Sequence, residues 1–166
     1  MPEALKLENE YYLLEIDAQT GAIARIFDKV GQIELIAQRA LAENYRLLLP
    51  LPDLEANYIV GAQQRLSGTE KTAQGLLLHW HGPLTNAQGS FDLDVTLRVA
   101  FAGEAIEFQL TVHNRTPYRL AEVWNAGLGG LMGLVGISAP NASTLIIALS
   151  WISGSMGMYG LARRCL

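Results

Sequence analysis

Cysteine is almost missing from this chain of 166 residues: Cys165 stands alone. One thiol cannot close an internal disulfide, and with three histidines in all no Cys/His spacing resembles a structural zinc site. Basic residues are scarce too, 12 Lys+Arg against 16 Asp+Glu, for a formal net charge of -4. A mildly acidic chain without a basic cluster is poorly suited to hold phosphate backbones, so nucleic acid is not an expected partner. GxSxG, a P-loop, GxGxxG after a strand and HExxH are all absent. Gly127-Leu128-Gly129-Gly130 is glycine-rich but lacks the Lys and Ser/Thr of a phosphate cradle, and reads as a loop. Acids occupy the first ten residues where a signal peptide has Lys/Arg and an apolar run. No leader is therefore expected, with the cytoplasm as the default location, and neither a metal nor a cofactor is expected.

Charge is also missing from one long stretch. All 16 acids fall between Glu3 and Glu122, and no charged residue occurs between Glu122 and Arg163. The chain divides on this basis into a β-sandwich domain over 1–130 and an uncharged tail over 131–166. Thr144 to Ala162 gives 19 uncharged residues before Arg163-Arg164. Three readings fit: a truncated or non-native continuation, a buried helix, or a membrane anchor at the threshold of spanning length. Ser150, Ser153, Gly154, Ser155, Gly157 and Gly160 weaken the apolar character of its second half, which argues against a membrane.

What is present is strand periodicity. Tyr12 to Asp17 alternates, Ala18-Gln19-Thr20-Gly21 makes a turn with Gly21 suited to positive φ, and Ala22 to Asp28 returns. Gln32 to Ile36 extends this meander. Ala37 to Asn44 has helical composition but too few residues for a stable helix. Tyr45 to Leu51 looks extended, and Pro50 and Pro52 confine it to an edge or a loop. Gln63 to Gln74 reads as loop and short strand, and Leu76 to His81 as a strand broken at Gly82-Pro83.

The strongest pattern follows. Leu93, Val95, Leu97 and Val99 alternate with Asp92, Asp94, Thr96 and Arg98. After Ala102-Gly103-Glu104, Ile106, Phe108, Leu110 and Val112 alternate with Glu107, Gln109, Thr111 and His113. A period of two over that length predicts a long hairpin with one buried face. The other face should lie in solvent or line a polar cleft. No βαβ rhythm appears, so the expected class is all-β, an antiparallel sandwich.

Candidate chemistry is thin. His79 and His81 share a strand face with Trp80 on the other. Two such imidazoles suit a metal or an acid/base pair, but the plainer reading is a polar strand face, since nothing singles out a third ligand. Asp92 and Asp94 are paired carboxylates of the kind glycoside chemistry uses. On the solvent side of a hairpin they read as solubilising charge, with Asp94→Ala costing at most about half a kcal/mol. Trp80, Tyr118 and Trp124 have rings that stack on the C–H face of a pyranose or pack in a core. A lateral cluster on one sheet face is what would favour sugar. His79, His81, Trp80, Tyr118 and Trp124 are the candidate sugar-contacting residues.

Leu7-Glu8-Asn9-Glu10-Tyr11-Tyr12, Glu15-Ile16-Asp17, Thr20-Gly21-Ala22-Ile23, Asp28-Lys29 and Glu34-Leu35 together resemble the opening of a galactose-mutarotase-like β-sandwich, or supersandwich. Phe91 to Pro117, ending in His113-Asn114-Arg115-Thr116-Pro117, resembles the long paired strands and the strand end of the same family. The likeness spans roughly Leu5 to Gly130. It implies a domain found in aldose epimerases and beside glycoside hydrolases and polysaccharide lyases. In the epimerases a histidine follows the N-x-T-x-P element, a second lies further on, and a late glutamate is the base. Here no histidine follows Pro117 and no acid follows Glu122. The resemblance therefore implies a non-catalytic, carbohydrate-associated domain, a fragment of a larger carbohydrate-active enzyme. Its expected partners are a carbohydrate and the rest of that polypeptide, or another copy joined through sheet edges. The alternatives are a small aldose-epimerase-like enzyme using His79 and His81, or a membrane-tethered binding module.

Overall fold

A computed structural model describes residues 4–36, 38–127 and 146–154. Alternation in the first segment yields β1 (Ala4–Glu8), β2 (Tyr12–Asp17), β3 (Ile23–Asp28) and β4 (Ile33–Glu34). They form an antiparallel meander in chain order. Then come β5 (Asn44–Leu48), β6 (Tyr58–Val60), β7 (Gly68–Thr72), β8 (Gly75–Trp80), β9 (Leu84–Asn86) and β10 (Gly89–Phe91). The long strands β11 (Leu93–Ala102) and β12 (Ala105–Asn114) follow, and β13 (Glu122–Gly127) and β14 (Ile146–Gly154) complete the set. The protein is all-β, as its periodicity requires.

The principal sheet has the order β14-β12-β11-β8-β7. Its centre is the expected hairpin, paired from Leu93↔Asn114 to Ala102↔Ala105. The hairpin turns at Gly103, φ +60°, the first of two loop positions, where type II′ turns take glycine. Leu93, Val95, Leu97, Val99, Ile106, Phe108, Leu110 and Val112 are all buried, so the inner face is the one the alternation assigned. A second sheet, β13-β5-β6, and the meander contribute Tyr45, Leu47 and Ile59, and Tyr12, Leu14, Ile16, Ile23 and Ile26, to the same buried cluster.

The turn between β2 and β3 is built by Asp17. Its Oδ1 accepts the N–H groups of Gln19 (2.9 Å) and Thr20 (2.8 Å) and the Thr20 hydroxyl (3.0 Å). Burial works to raise the carboxyl's pKa, but these hydrogen bonds outweigh it and hold the group below its usual range. Asn44 joins the turn to the second sheet. It adopts φ +54°, a conformation asparagine tolerates. Its side chain accepts the Ile23 N–H at 3.0 Å and donates to the Gly21 carbonyl.

Two expectations need correction. Tyr45 to Leu51 is no edge: β5 is central in its sheet, because Pro50 and Pro52 lie beyond Leu48 and remove donors only at their own positions. The helical composition before Asn44 yields only a single 3-10 turn, Arg39–Leu41, in keeping with its short length. Within the tail, Ile146–Gly154 is a strand and not a helix, pairing parallel to β12 from Ala105↔Ile146 to His113↔Gly154. Branched and aromatic residues such as Ile146, Ile147, Trp151 and Ile152 suit a strand, and β12 offers unpaired backbone groups along that edge. The loop reading of Gly127-Leu128-Gly129-Gly130 beyond Gly127, and the tail outside 146–154, lie outside the described residues. Among those described, no helix is long and apolar enough to cross a membrane.

Candidate functional site

Period-two geometry puts the three histidines on the outer face of the principal sheet. His79 pairs across from Thr96, and Asp94 across from His113. His79 and His81 stack at 5.3 Å between centroids with 25° between planes. His79 Nδ1 lies 3.1 Å from the Thr96 hydroxyl, and His81 Nδ1 lies 3.6 Å from Asp94 Oδ1. Stacked rings this close leave no room for a sugar ring between them, so the pair cannot clasp a pyranose as an acid and a base on opposite sides. Among the described residues no group of three or more His, Cys, Asp or Glu is arranged to hold a metal.

Asp94 departs from its expected role as a surface charge. Only 14% of its side chain is exposed, against 62% for Asp92. It accepts the Gly82 N–H at 2.9 Å and pairs with Arg115, which also reaches Asp92 at 3.2 Å. Arg115 arrives there because Asn114 caps the chain reversal after β12. Asn114 Oδ1 accepts the Thr116 N–H (3.0 Å) and hydroxyl (2.7 Å), and its amide donates to the Tyr118 carbonyl (2.8 Å). The motif His113-Asn114-Arg115-Thr116-Pro117 is therefore a folding device. The Arg115 hydrogen bond, then the Gly82 N–H, hold the Asp94 carboxyl below the usual carboxylate range.

With its pKa depressed in the folded state, Asp94 stabilises the fold above the ordinary carboxyl pKa of about 4, and that contribution disappears as pH falls through the folded value. Asp94→Ala should cost about 1 kcal/mol at pH 7, chiefly the bond to Gly82. Asp94→Asn should flatten the acid side of a plot of urea midpoint against pH. An unchanged acid limb would assign the acid sensitivity to other carboxylates.

Trp80 does not face a ligand. It is fully buried, edge-on to Tyr45 at 5.0 Å, and its indole N–H donates to the Thr20 carbonyl at 3.2 Å. Tyr118 is half-buried against the core, edge-on to Phe91 at 6.3 Å. Trp124 is different: it is 57% exposed.

Around Trp124 the second sheet gathers residues that the sequence reading did not single out. Register aligns Trp124 with Arg46, and Arg46 with Val60, while Leu48 pairs with Tyr58. These side chains share the outer face. The Arg46 guanidinium carbon lies 5.6 Å from the Tyr58 ring centre and 5.9 Å from that of Trp124. Glu43 fixes the guanidinium, with Arg46 Nε donating to Oε2 at 3.0 Å, and Glu122 accepts the indole N–H at 2.9 Å. The result is an open platform of two exposed aromatics flanking a charge, with two carboxylates at hand. Apolar ring faces and directional hydrogen-bonding groups in one plane suit a ligand that is itself half apolar and half hydroxylated.

No family model, curated protein or solved structure matches the chain.

Proposed function

We propose that this chain is a non-catalytic carbohydrate-binding β-sandwich domain of the galactose-mutarotase-like type, working beside a glycoside hydrolase or related catalytic domain in a larger polypeptide. The observation that carries the reading is the Trp124–Arg46–Tyr58 array. It is a lateral aromatic cluster on one sheet face, an arrangement that favours sugar, and its rings are exposed. A pyranose laid on Trp124 would bury its C–H face against the indole and direct hydroxyls to Arg46, Glu43 and Glu122.

Affinity electrophoresis and calorimetry against a panel of neutral and acidic polysaccharides test this. At least one glycan should retard the wild type. Trp124→Ala should weaken that binding about tenfold or more, as for an aromatic anchor. Its melting temperature should stay close to that of wild type, because the ring is largely in solvent. Retention by no glycan, or equal retention of both proteins, would overturn the reading.

A further inference from the structure

A second site lies where the β2–β3 turn meets the 3-10 turn Gly61–Gln63. An open surface depression of about 300 Å³ there is lined by exposed Gln19, Gln63 and Arg65, half-buried Thr20 and Ala62, and buried Gln64. Ligand pockets begin at about this size, enough for one small ring. Its frame is fixed from several directions. Asp17 pins the Gln19 and Thr20 N–H groups, and the Leu66 N–H donates to the Gln19 carbonyl at 2.7 Å. Gln64 is buried, and its amide is committed on both sides. Oε1 accepts the Thr85 N–H at 3.0 Å, while Nε2 donates to the carbonyls of Thr85 (2.9 Å) and Val60 (3.2 Å). Such a floor needs no rearrangement to receive a ligand.

The walls are the opposite. The Gln19 and Gln63 amides and the Arg65 guanidinium make no side-chain hydrogen bond or ion pair with any described residue. No carboxylate lines the depression. Arg25, Arg46, Arg98 and Arg115 on the sheet faces are all paired with acids, whereas Arg65, like Arg39 and Arg119 outside the strands, has no acid partner among the described residues. A guanidinium and two amides without partners among the described residues, lining one depression with buried Gln64, match a ring that carries both an anionic group and hydroxyls. The planar two-donor edge of arginine fits the two oxygens of a carboxylate.

We propose that this pocket holds the carboxylate-bearing residue of an acidic glycan, with Arg65 on the carboxylate and Gln19 and Gln63 on ring hydroxyls. The proposal rests on the carbohydrate reading above and narrows its substrate class to uronate-containing chains. A net charge of -4 makes general attraction of such polymers unfavourable, so binding must come from a local site.

Calorimetry at low salt, with oligogalacturonate and its carboxyl-reduced neutral counterpart, tests it on the wild type, Arg65→Gln and the exposed control Arg39→Gln. Wild type should bind the acidic form about tenfold more tightly than the reduced one. Arg65→Gln should abolish that preference and leave affinity for the reduced form unchanged, and Arg39→Gln should match wild type. Equal affinity for both forms, or a preference that survives Arg65→Gln, overturns the pocket assignment while leaving the glycan reading intact. A sulfated neutral oligosaccharide bound as tightly as the uronate through Arg65 would overturn the carboxylate specificity. Binding to neither form nor to any glycan of the wider panel would remove both readings.

Discussion

Phe108→Ala should lower stability by about 3–5 kcal/mol, the usual cost of truncating a buried aromatic side chain. Phe108 is 0% exposed and pairs with Val99 at the middle of the hairpin, where Leu97, Leu110 and Ile106 are buried beside it. Neighbours held in two hydrogen-bonded strands cannot collapse freely into the vacated space, so both the transfer loss and the cavity remain. Asp94 is on the opposite face of the same hairpin, and its removal should cost only about 1 kcal/mol. Urea melts of the two variants, analysed at a common slope, provide the comparison. Equal losses would mean that the faces of the hairpin are exchanged or that Asp94 sits in a more demanding network than its bonds to Gly82 and Arg115.

That contrast also marks how far the residues announce the structure. A period of two over β11 and β12 leaves one register that buries the branched and aromatic side chains, since a slip by one would bury Asp94, Arg98 and Glu107. The opposition of Trp80 to His79 and His81 follows from the same rule, and β2 begins and ends where the alternation does. Chemistry carried by a turn is harder to see. Arg115 finds Asp94 only because Asn114 redirects the chain, and nothing in the spacing of the two residues shows that reversal. The aromatic platform was legible only at Trp124. Arg46 and Tyr58 belong to strands distant from it in sequence, and β13 pairs with β5 across the intervening strands β6 to β12. Short strands such as β6 carry too few residues for alternation to reveal which side chains face outward. The strand Ile146–Gly154 was obscured for another reason: a run of uncharged residues has no polar phase, so helix and strand look alike until a partner edge selects one.

The two turn glycines should respond very differently to the same substitution, and the larger effect belongs to Gly21. Both have positive φ, +73° at Gly21 and +60° at Gly103. Alanine in either place pays the left-handed penalty of about 1–2 kcal/mol. At Gly103 nothing lies within 4 Å of where a Cβ would stand, so that penalty is the whole cost. At Gly21 the new Cβ would lie 2.5 Å from Trp80 Cζ2 and 2.6 Å from Leu66 Cδ1. The Trp80 ring cannot yield, because it is fully buried, packs edge-on against Tyr45 and is tied to Thr20. Overlap of this kind adds about 1–3 kcal/mol, and displacing the turn also threatens the bond from Asn44 to the Gly21 carbonyl. Gly21→Ala should therefore destabilise by about 2–5 kcal/mol, well beyond Gly103→Ala. Thermal and urea unfolding of the two variants side by side measure the difference, and tryptophan fluorescence of native Gly21→Ala should shift as Trp80 moves. If the two alanines prove equally costly, the contact between the turn and Trp80 is looser than 2.5 Å implies. The β2–β3 turn would then be held mainly by its hydrogen bonds to Leu66 and Asn44.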